Sequence, residues 1–487
     1  MTAPTTRTRF APSPTGYMHI GNLRTALYAF LQARHDGGQF LLRIEDTDQA
    51  RLVSDAVEVI YESLRATNLL WDEGPDKGGS VGPYIQSERK PIYKEYADKL
   101  IATGHAYRCF CTKEALDEIR KHALEEEEAP IAAYDGRCSR LSESQVQENL
   151  KANLPFVIRQ KIPREGATTF QDLVYGEITI SNDQLDDQVL IKADGLPTYN
   201  FANVVDDHLM RITHVMRGSE YISSAPKYMQ LYRAFGWEAP LTVHLPHILG
   251  ADGKKLSKRT GSAALSDLLD KGYLPEGILN YIALLGWSPG DNTEFFTLQN
   301  LIERFDLKRV NKAPAIFDEK KLAFINSLHI KALPPERFHE LALRYYPAPI
   351  AAKFDLRKLS ALSQTRVEKL TDLGSMWDFL LKFPFPFDRA LFEHKKMKTT
   401  PETSLPVLKE FLPQLETQQA WDNAALYDFM VRFAAEKSLK NSQVMWPVRV
   451  ALTGLPSTPG GATEVAELLG REESLSRIRQ SIQMLGG

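Results

Sequence analysis

The sequence predicts an α/β fold: a parallel sheet with crossover helices, split by an α+β insertion and followed by an α-helical region. Three observations carry this expectation. Residues 1–90 alternate strand-like and helix-like segments, and the alternation resumes over 200–250. The stretch between, 91–199, has a different texture, with the cysteines, an acidic run and short β-like pieces. From about Pro334 onward helical spacing dominates, broken by proline-rich joints.

In chain order, Arg7 to Ala11 reads as a short strand, followed by the loop Pro12-Ser13-Pro14-Thr15-Gly16. Leu23, Ala26, Leu27, Phe30 and Leu31 recur at helical spacing until Gly37-Gly38 stops the helix. Phe40 to Ile44 is a buried strand, and Ser54 to Ala66 a helix with Val57, Ile60 and Leu64 on one face. This order is that of a parallel sheet with crossovers. Later, Ile212 to Met216 is strand-like, Ser223-Ser224-Ala225-Pro226 opens a helix that closes near Gly236, and Thr242 to Leu249 is a strand leading into a lysine-rich loop. The middle stretch holds Glu125 to Glu128 and the β-like pieces Phe156 to Lys161 and Glu177 to Ser181. Ala424 to Ala435 exemplifies the helical part, and Phe383-Pro384-Phe385-Pro386 its joints. The expected boundaries are 1–90 with 200–250, 91–199, 251–333 and 334–487.

Composition narrows the class. A chain of 487 residues needs more than one core. A net charge of −3 gives no global basic field, so a nucleic-acid partner would be met by local basic patches. Three clustered cysteines, Cys109, Cys111 and Cys138, argue against a disulfide framework and leave a metal site or plain thiols open. No apolar run approaches the ~18 residues of a membrane span, and the start lacks a signal-like apolar stretch. The expectation is a cytoplasmic protein without a membrane partner.

Two motifs suit phosphate chemistry. His19-Ile20-Gly21-Asn22 opens a helix, where backbone N–H groups and the positive dipole end collect. Gly21 permits close approach, and His19 can donate to a phosphate oxygen that gains charge. Taken alone, the tetrapeptide is also what a polar loop entering a helix looks like. Lys254-Lys255-Leu256-Ser257-Lys258-Arg259 places four cations after a strand and a glycine turn, which suits a triphosphate clamp or simply a solvated loop.

Together the two motifs resemble those of class I aminoacyl-tRNA synthetases, with Asn22 where the first pattern usually ends in histidine. The flanks are similar to glutamyl-tRNA synthetases: Arg9-Phe10-Ala11-Pro12-Ser13-Pro14-Thr15-Gly16, Arg43-Ile44-Glu45-Asp46-Thr47-Asp48, Gly82-Pro83-Tyr84-Ile85-Gln86-Ser87 and Pro197 through His208. That family also varies at the position of Asn22.

The resemblance implies a Rossmann-type catalytic domain, an insertion holding the tRNA acceptor end, a stem-contact region carrying the lysine-rich loop, and a helical anticodon-binding part. It implies that tRNA(Glu), ATP and L-glutamate are the substrates, with Mg²⁺ accompanying ATP, and that the protein is a monomer. Arg9 and Arg217 would face the substrate side-chain carboxylate, whose two oxygens a guanidinium fork matches. Glu45 would take the ammonium, and Ala11, Ser13, Tyr199 and Asn203 would complete that pocket. His19, Gly21, Glu220, Tyr221, Lys255 and Lys258 would serve ATP, His19 and Lys258 catalytically. Cys109, Cys111, Tyr134 and Cys138 match a zinc site of some members, although others use a histidine where Arg140 stands here. Arg366 would match an arginine that reads the anticodon. Plainer readings stand beside these: Glu45 as a salt-bridge partner of Arg43 or Arg51, Tyr199 as packing, Arg366 as a solvated arginine. Three rivals differ by cheap features. A short relative that modifies a tRNA base lacks the C-terminal part, glutaminyl relatives lack arginine at the position of Arg217, and a catalytically dead paralogue would have lost His19, Glu45 or Lys258.

Overall fold

In the computed structural model, residues 5–48, 51–118, 134–254, 256 and 264–486 are described. They divide into two units, 1–270 with 275–325 and 271–274 with 326–487.

The first unit is organised by its sheet. Strand β1 (Arg7–Phe10) buries Thr8, Arg9 and Phe10 and lies parallel to β2 (Gln39–Leu42), with Arg9 opposite Leu41. Helix α1 (Ile20–His35) crosses between them, and Thr8 donates its hydroxyl to the Ala29 carbonyl at 2.7 Å, fastening strand to helix. Helix α2 (Ala56–Ala66) buries Ile60 and Leu64 as its spacing requires.

Strands β3 (Ala106–Cys109), β4 (Val157–Gln160) and β7 (Val189–Ile191) form a separate antiparallel sheet, as an insertion should. However, β5 (Ala167–Asp172) and β6 (Gly176–Ser181), drawn from the same 91–199 stretch, join the main sheet. The period-2 burial of Thr168, Phe170 and Asp172 gives β5 one inward face, which it lays beside β9 (Leu241–Leu245). With β8 (His214–Gly218) the main sheet runs β2-β1-β8-β9-β5-β6, parallel up to its antiparallel last strand.

The single strand expected over Thr242 to Leu249 is two. Pro246 has no N–H to give to a ladder, so β9 ends at Leu245, and β10 (Ile248–Leu249) pairs instead with β11 (Ala315–Ile316). The acidic run Glu125 to Glu128 lies outside the described residues.

The second unit is helical. Thr400 caps the helix Pro401–Leu415, and Gly454, in the left-handed region at φ 62°, ends Asn441–Thr453. Leu408, Phe411, Phe433, Val448 and Ile478 are among the fully buried side chains of its core.

Candidate active site

The chain leaves β1 toward β2 on one side, while β8 and β9 extend the sheet on the other. Such a switch point opens a crevice at the carboxyl ends of the strands. A cavity of about 670 Å³ occupies it, lined by Arg9, Ala11 and Ser13 from the end of β1 and by His19 and Gly21 at the start of α1. Tyr199, Arg217, Glu220 and Tyr221 line its remaining wall. The structure therefore gathers residues up to 258 positions apart in sequence around one cleft, Arg9 with Asp267 being the extreme pair.

His19 is the N-cap of α1, and its Nδ1 accepts from the Asn22 backbone N–H at 3.3 Å. In the neutral ring this places the proton on Nε2. A Cβ on Gly21 would come within 3.1 Å of the His19 ring, so glycine is what lets that ring fold over the helix start. Tyr199 and Tyr221 lie with ring centroids 5.3 Å apart.

Three arginines line the cleft, and Arg24 gives its terminal nitrogens to the backbone carbonyls of Leu285 and Pro246. Arg9 donates Nε and Nη2 to Asp207 at 3.0 and 3.2 Å and Nη1 to the Met216 carbonyl, so much of its fork is committed. Arg217 is only 6% exposed, yet it meets no carboxylate among the described residues. Its guanidinium packs over the rings of Tyr228 at 4.4 Å and Tyr221 at 5.6 Å, and its Nε donates to His244. A buried guanidinium without a counter-ion is costly, and an incoming carboxylate removes that cost.

Glu45 and Asn203 do not line the cavity, which corrects the expectation that both form its surface. Asn203 is turned inward and donates to the Tyr199 carbonyl at 2.8 Å, closing the first turn of the helix Tyr199–Leu209. Glu45 lies within the protein, with Oε1 accepting from Arg43 at 2.9 Å and Oε2 buried without a partner. Burial pushes its carboxyl up, against the pull of Arg43 and Arg9. It stands within electrostatic reach of Tyr199 and Tyr221. The pairing with Arg43 foreseen as a surface contact is thus an interior one, and it leaves one oxygen to be satisfied.

Sequence reasoning assigned no role to the charged layer behind this wall. Arg43 bridges Glu45 and Asp207, and Arg89 donates to Asp206 at 2.7 Å, all of them buried. Asp207 is held below the usual carboxylate range: burial opposes its charge, but Arg9 and Arg43 outweigh it. The available signal was charge inside apolar text, as in Leu41-Leu42-Arg43-Ile44 and Val204-Val205-Asp206-Asp207. Lys255 and Lys258 lie outside the described residues, although Leu256 and Ala264 near them line the cavity.

In the insertion, Cys109, Cys111 and Cys138 place their sulfurs within 4.8 Å of one another. The Tyr134 hydroxyl lies 3.2 Å from Cys109 Sγ and 3.9 Å from Cys111 Sγ and accepts the Cys138 N–H. Hydrogen bonding from Cys138 pushes Cys109 down to about 4, while Cys138 is pushed up by the same bond and Cys111 by burial. The donor set is compatible with a structural metal. In the helical unit, Arg366 is exposed, just beyond the helix Leu356–Ser363.

Comparison with known proteins places this geometry. Residues 5–324 match the family described as tRNA synthetases class I (E and Q), catalytic domain, and residues 337–482 match an anticodon binding domain. A glutamate–tRNA ligase of Clostridium tetani is 55% identical over 98% of both chains, and one of Clostridium botulinum is 53% identical over the same shares. Among solved structures, a glutamate–tRNA ligase of Elizabethkingia meningosepticum in complex with its amino acid superposes with a TM-score of 0.86 at 35% identity, covering 99% of this chain and all of the other.

Proposed function

The chain belongs to the class I tRNA synthetases that serve glutamate and glutamine, and from that premise we propose how it works as a ligase joining glutamate to tRNA. The observation that carries the choice of amino acid is a buried Arg217 in the crevice wall lacking a carboxylate, together with Glu45, buried behind that wall within electrostatic reach of Tyr199 and lacking a partner for Oε2. Glutamate supplies the complement of both, a side-chain carboxylate and an ammonium.

In this reading Arg217 takes the side-chain carboxylate, and Arg9, braced by Asp207, adds positive potential to the same wall. Glu45 Oε2 is directed at the ammonium, and Ala11, Ser13 and Tyr199 shape the space between. Asn203 acts indirectly, by fixing the helix turn that carries Tyr199. ATP, entering as its Mg²⁺ complex, rests on the start of α1 at Gly21, with Glu220 and Tyr221 beside the nucleoside. The α-carboxylate of glutamate attacks the α-phosphorus, and pyrophosphate leaves. The Nε2–H of His19, Lys255 and Lys258 stabilise the charge gathered on the phosphate oxygens. The terminal adenosine hydroxyl of tRNA then attacks the activated carbonyl and AMP departs. No protein nucleophile is required, because adenylation already supplies the leaving group.

The insertion holds the acceptor end of tRNA(Glu), stapled by Zn²⁺ on Cys109, Cys111, Cys138 and Tyr134; zinc supplies local folding energy there and no step of the reaction. Zinc near one per chain in protein purified without chelator is the expected result. Arg366, exposed in the unit that matches an anticodon binding domain, is a candidate contact to the anticodon. The reading also carries a monomer at work in the cytoplasm. No helix among the described residues is long and apolar enough to cross a membrane.

The test is charging of glutamate and glutamine tRNA transcripts with labelled glutamate and ATP. Charging of glutamate tRNA alone is expected. Charging of both would make the enzyme non-discriminating and remove the specificity role of Arg366, and charging of neither by folded, ATP-binding protein would overturn the reading.

A further inference from the structure

One buried histidine stands next to the crevice without lining it. His244 is the penultimate residue of β9, fully buried, between an acid and a base of fixed orientation. On one side is Asp172, at the carboxyl end of β5. Its Oδ2 accepts from the His244 ring at Nδ1, 2.7 Å away, and from the His244 backbone N–H at 3.1 Å. Its Oδ1 accepts from the backbone N–H groups of Val174 and Tyr175 at 3.0 and 2.9 Å. Both oxygens of Asp172 thus receive donors only, which requires the carboxylate form. Burial works against that form, but these donors outweigh it and the carboxyl is held below its ordinary value. On the other side of His244, Arg217 donates its Nε–H to Nε2 at 3.1 Å. Arg217 has no acceptor function, so Nε2 must carry a lone pair. The two contacts therefore agree on one state of the ring: neutral, with its proton on Nδ1 and directed at Asp172. Burial favours the same neutral state, lowering the imidazole pKa despite the nearby carboxylate.

This arrangement uses the one N–H of Arg217 that a carboxylate held end-on does not need. Nε is tied back to β9, while the terminal nitrogens make no hydrogen bond among the described residues. The ring of Tyr228, 4.4 Å from the guanidinium carbon, sets the plane from one face. An arginine anchored through Nε and stacked on a ring has lost its rotational freedom before the substrate arrives, so the ordering cost is not charged to binding.

We propose that His244, held in its Nδ1–H form by Asp172, is a positioning residue that orients the Arg217 guanidinium for two-point contact with the substrate side-chain carboxylate, and so helps set specificity for glutamate. This rests on the reading above that Arg217 binds that carboxylate. It also gives the β5 strand a part in substrate recognition: a carboxylate from the 91–199 stretch reaches the pocket through a histidine and an arginine.

The experiment measures KM for glutamate, ATP and tRNA in the charging reaction of the full-length chain and of five variants. In His244→Leu, which removes the acceptor at similar volume, KM for glutamate should rise about tenfold while KM for ATP and for tRNA stays within about twofold. His244→Gln, whose side-chain oxygen can accept from Arg217 Nε, should recover most of that loss. His244→Asn can still donate to Asp172 but falls short of Arg217. It should behave like His244→Leu, and it serves as the second variant should the leucine chain not fold. Adding His244→Leu to Arg217→Ala should raise the glutamate KM no further than Arg217→Ala alone. A parental glutamate KM in folded His244→Leu or His244→Asn, with Arg217→Ala impaired, overturns the relay and leaves the pocket reading intact. A uniform rise in all three KM values, not recovered by glutamine, also overturns it by assigning His244 to the core. A parental KM in Arg217→Ala overturns the pocket reading, and the relay with it.

Discussion

The two units of the chain bury charge in different ways. Behind the crevice of the first, Arg9, Arg43, Glu45, Asp206 and Asp207 form an ion network with side chains no more than 4% exposed. In the helical unit the fully buried Arg477 gives Nη1 to two backbone carbonyls, those of Phe379 and Leu452, and Nε to the half-exposed carboxylate of Glu473 at 2.6 Å. Its charge is met by one partner open to water, and the carbonyls receive a donor they would otherwise lack. An ion network costs more desolvation and fixes each member against the others. The first unit thus keeps a closed field of charge behind the crevice, whereas the second meets its buried arginine with backbone carbonyls and one carboxylate in contact with water.

The largest effect should come from breaking the network. Asp207→Ala leaves Arg9 and Arg43 without their shared partner, and loss of one member of a buried pair typically costs about 3–5 kcal/mol. Arg477→Met leaves two carbonyls short of donors and frees Glu473, whose carboxylate is 48% exposed and open to hydration, which points to roughly 1–3 kcal/mol. Urea denaturation of both variants measures this directly. Equal losses would remove the distinction between the two interiors.

Second is a change that spares stability and removes function. Arg217→Ala deletes a crevice arginine that neither a carboxylate nor a backbone carbonyl holds among the described residues, so the folded state loses little or gains. Use of glutamate should fall at least about tenfold, a charge-assisted contact contributing about 1.5–3 kcal/mol. Parental kcat/KM for glutamate would show that the unbalanced charge is not there for the substrate.

How far the sequence reveals this division depends on the range of the interactions. Caps, breaks and amphipathic faces are local, so α1, α2, β1, β2 and the helix closed by Gly236 could be read from spacing. The break at Pro246 was also local but was overrun by the apolar residues around it, and β5 was assigned to the insertion because its partner β9 lies about seventy positions away. In the site, residues that line the cleft are legible where they cluster in motifs near chain breaks, as His19 and Gly21 do. The residues that orient them are not. His244 sits in Leu241-Thr242-Val243-His244-Leu245, where it looks like one polar residue in a core strand, and its partner Asp172 is 72 positions earlier. Glu45 stands out in the sequence as one of the charged residues of its motif, but its orphaned oxygen is a property of the fold alone.

The third effect belongs to the helical unit and is set by pH. Burial alone pushes His329 down to about 4, against about 6.5 for a free imidazole. The unfolded chain then binds a proton that the folded chain refuses, so stability is complete above pH ~6.5 and declines as pH falls from there toward 4. Between pH 7.5 and 5 the decline from this one group is about 2 kcal/mol. Denaturation midpoints at the two pH values give the total slope, and His329→Leu should remove this share of it. An unchanged slope in that variant would mean the imidazole is protonated inside the fold.

The smallest effect closes the comparison from the other side. If the helical unit makes no use of charge for stability, its exposed ion pairs should be nearly silent. Arg479 and Glu416 meet at 2.5 Å with side chains 55% and 40% exposed. Water screens such a pair, and holding two long side chains together costs rotamer entropy, so pairs of this kind contribute about 0.2–1 kcal/mol at most. Arg479→Ala, Glu416→Ala and the double variant form a cycle whose coupling should lie near the lower end and shrink further in 1 M salt. A coupling well above 1 kcal/mol that survives salt would mean that surface charge holds these helices together. The contrast with the first unit would then be one of where charge is placed, not of whether it is used.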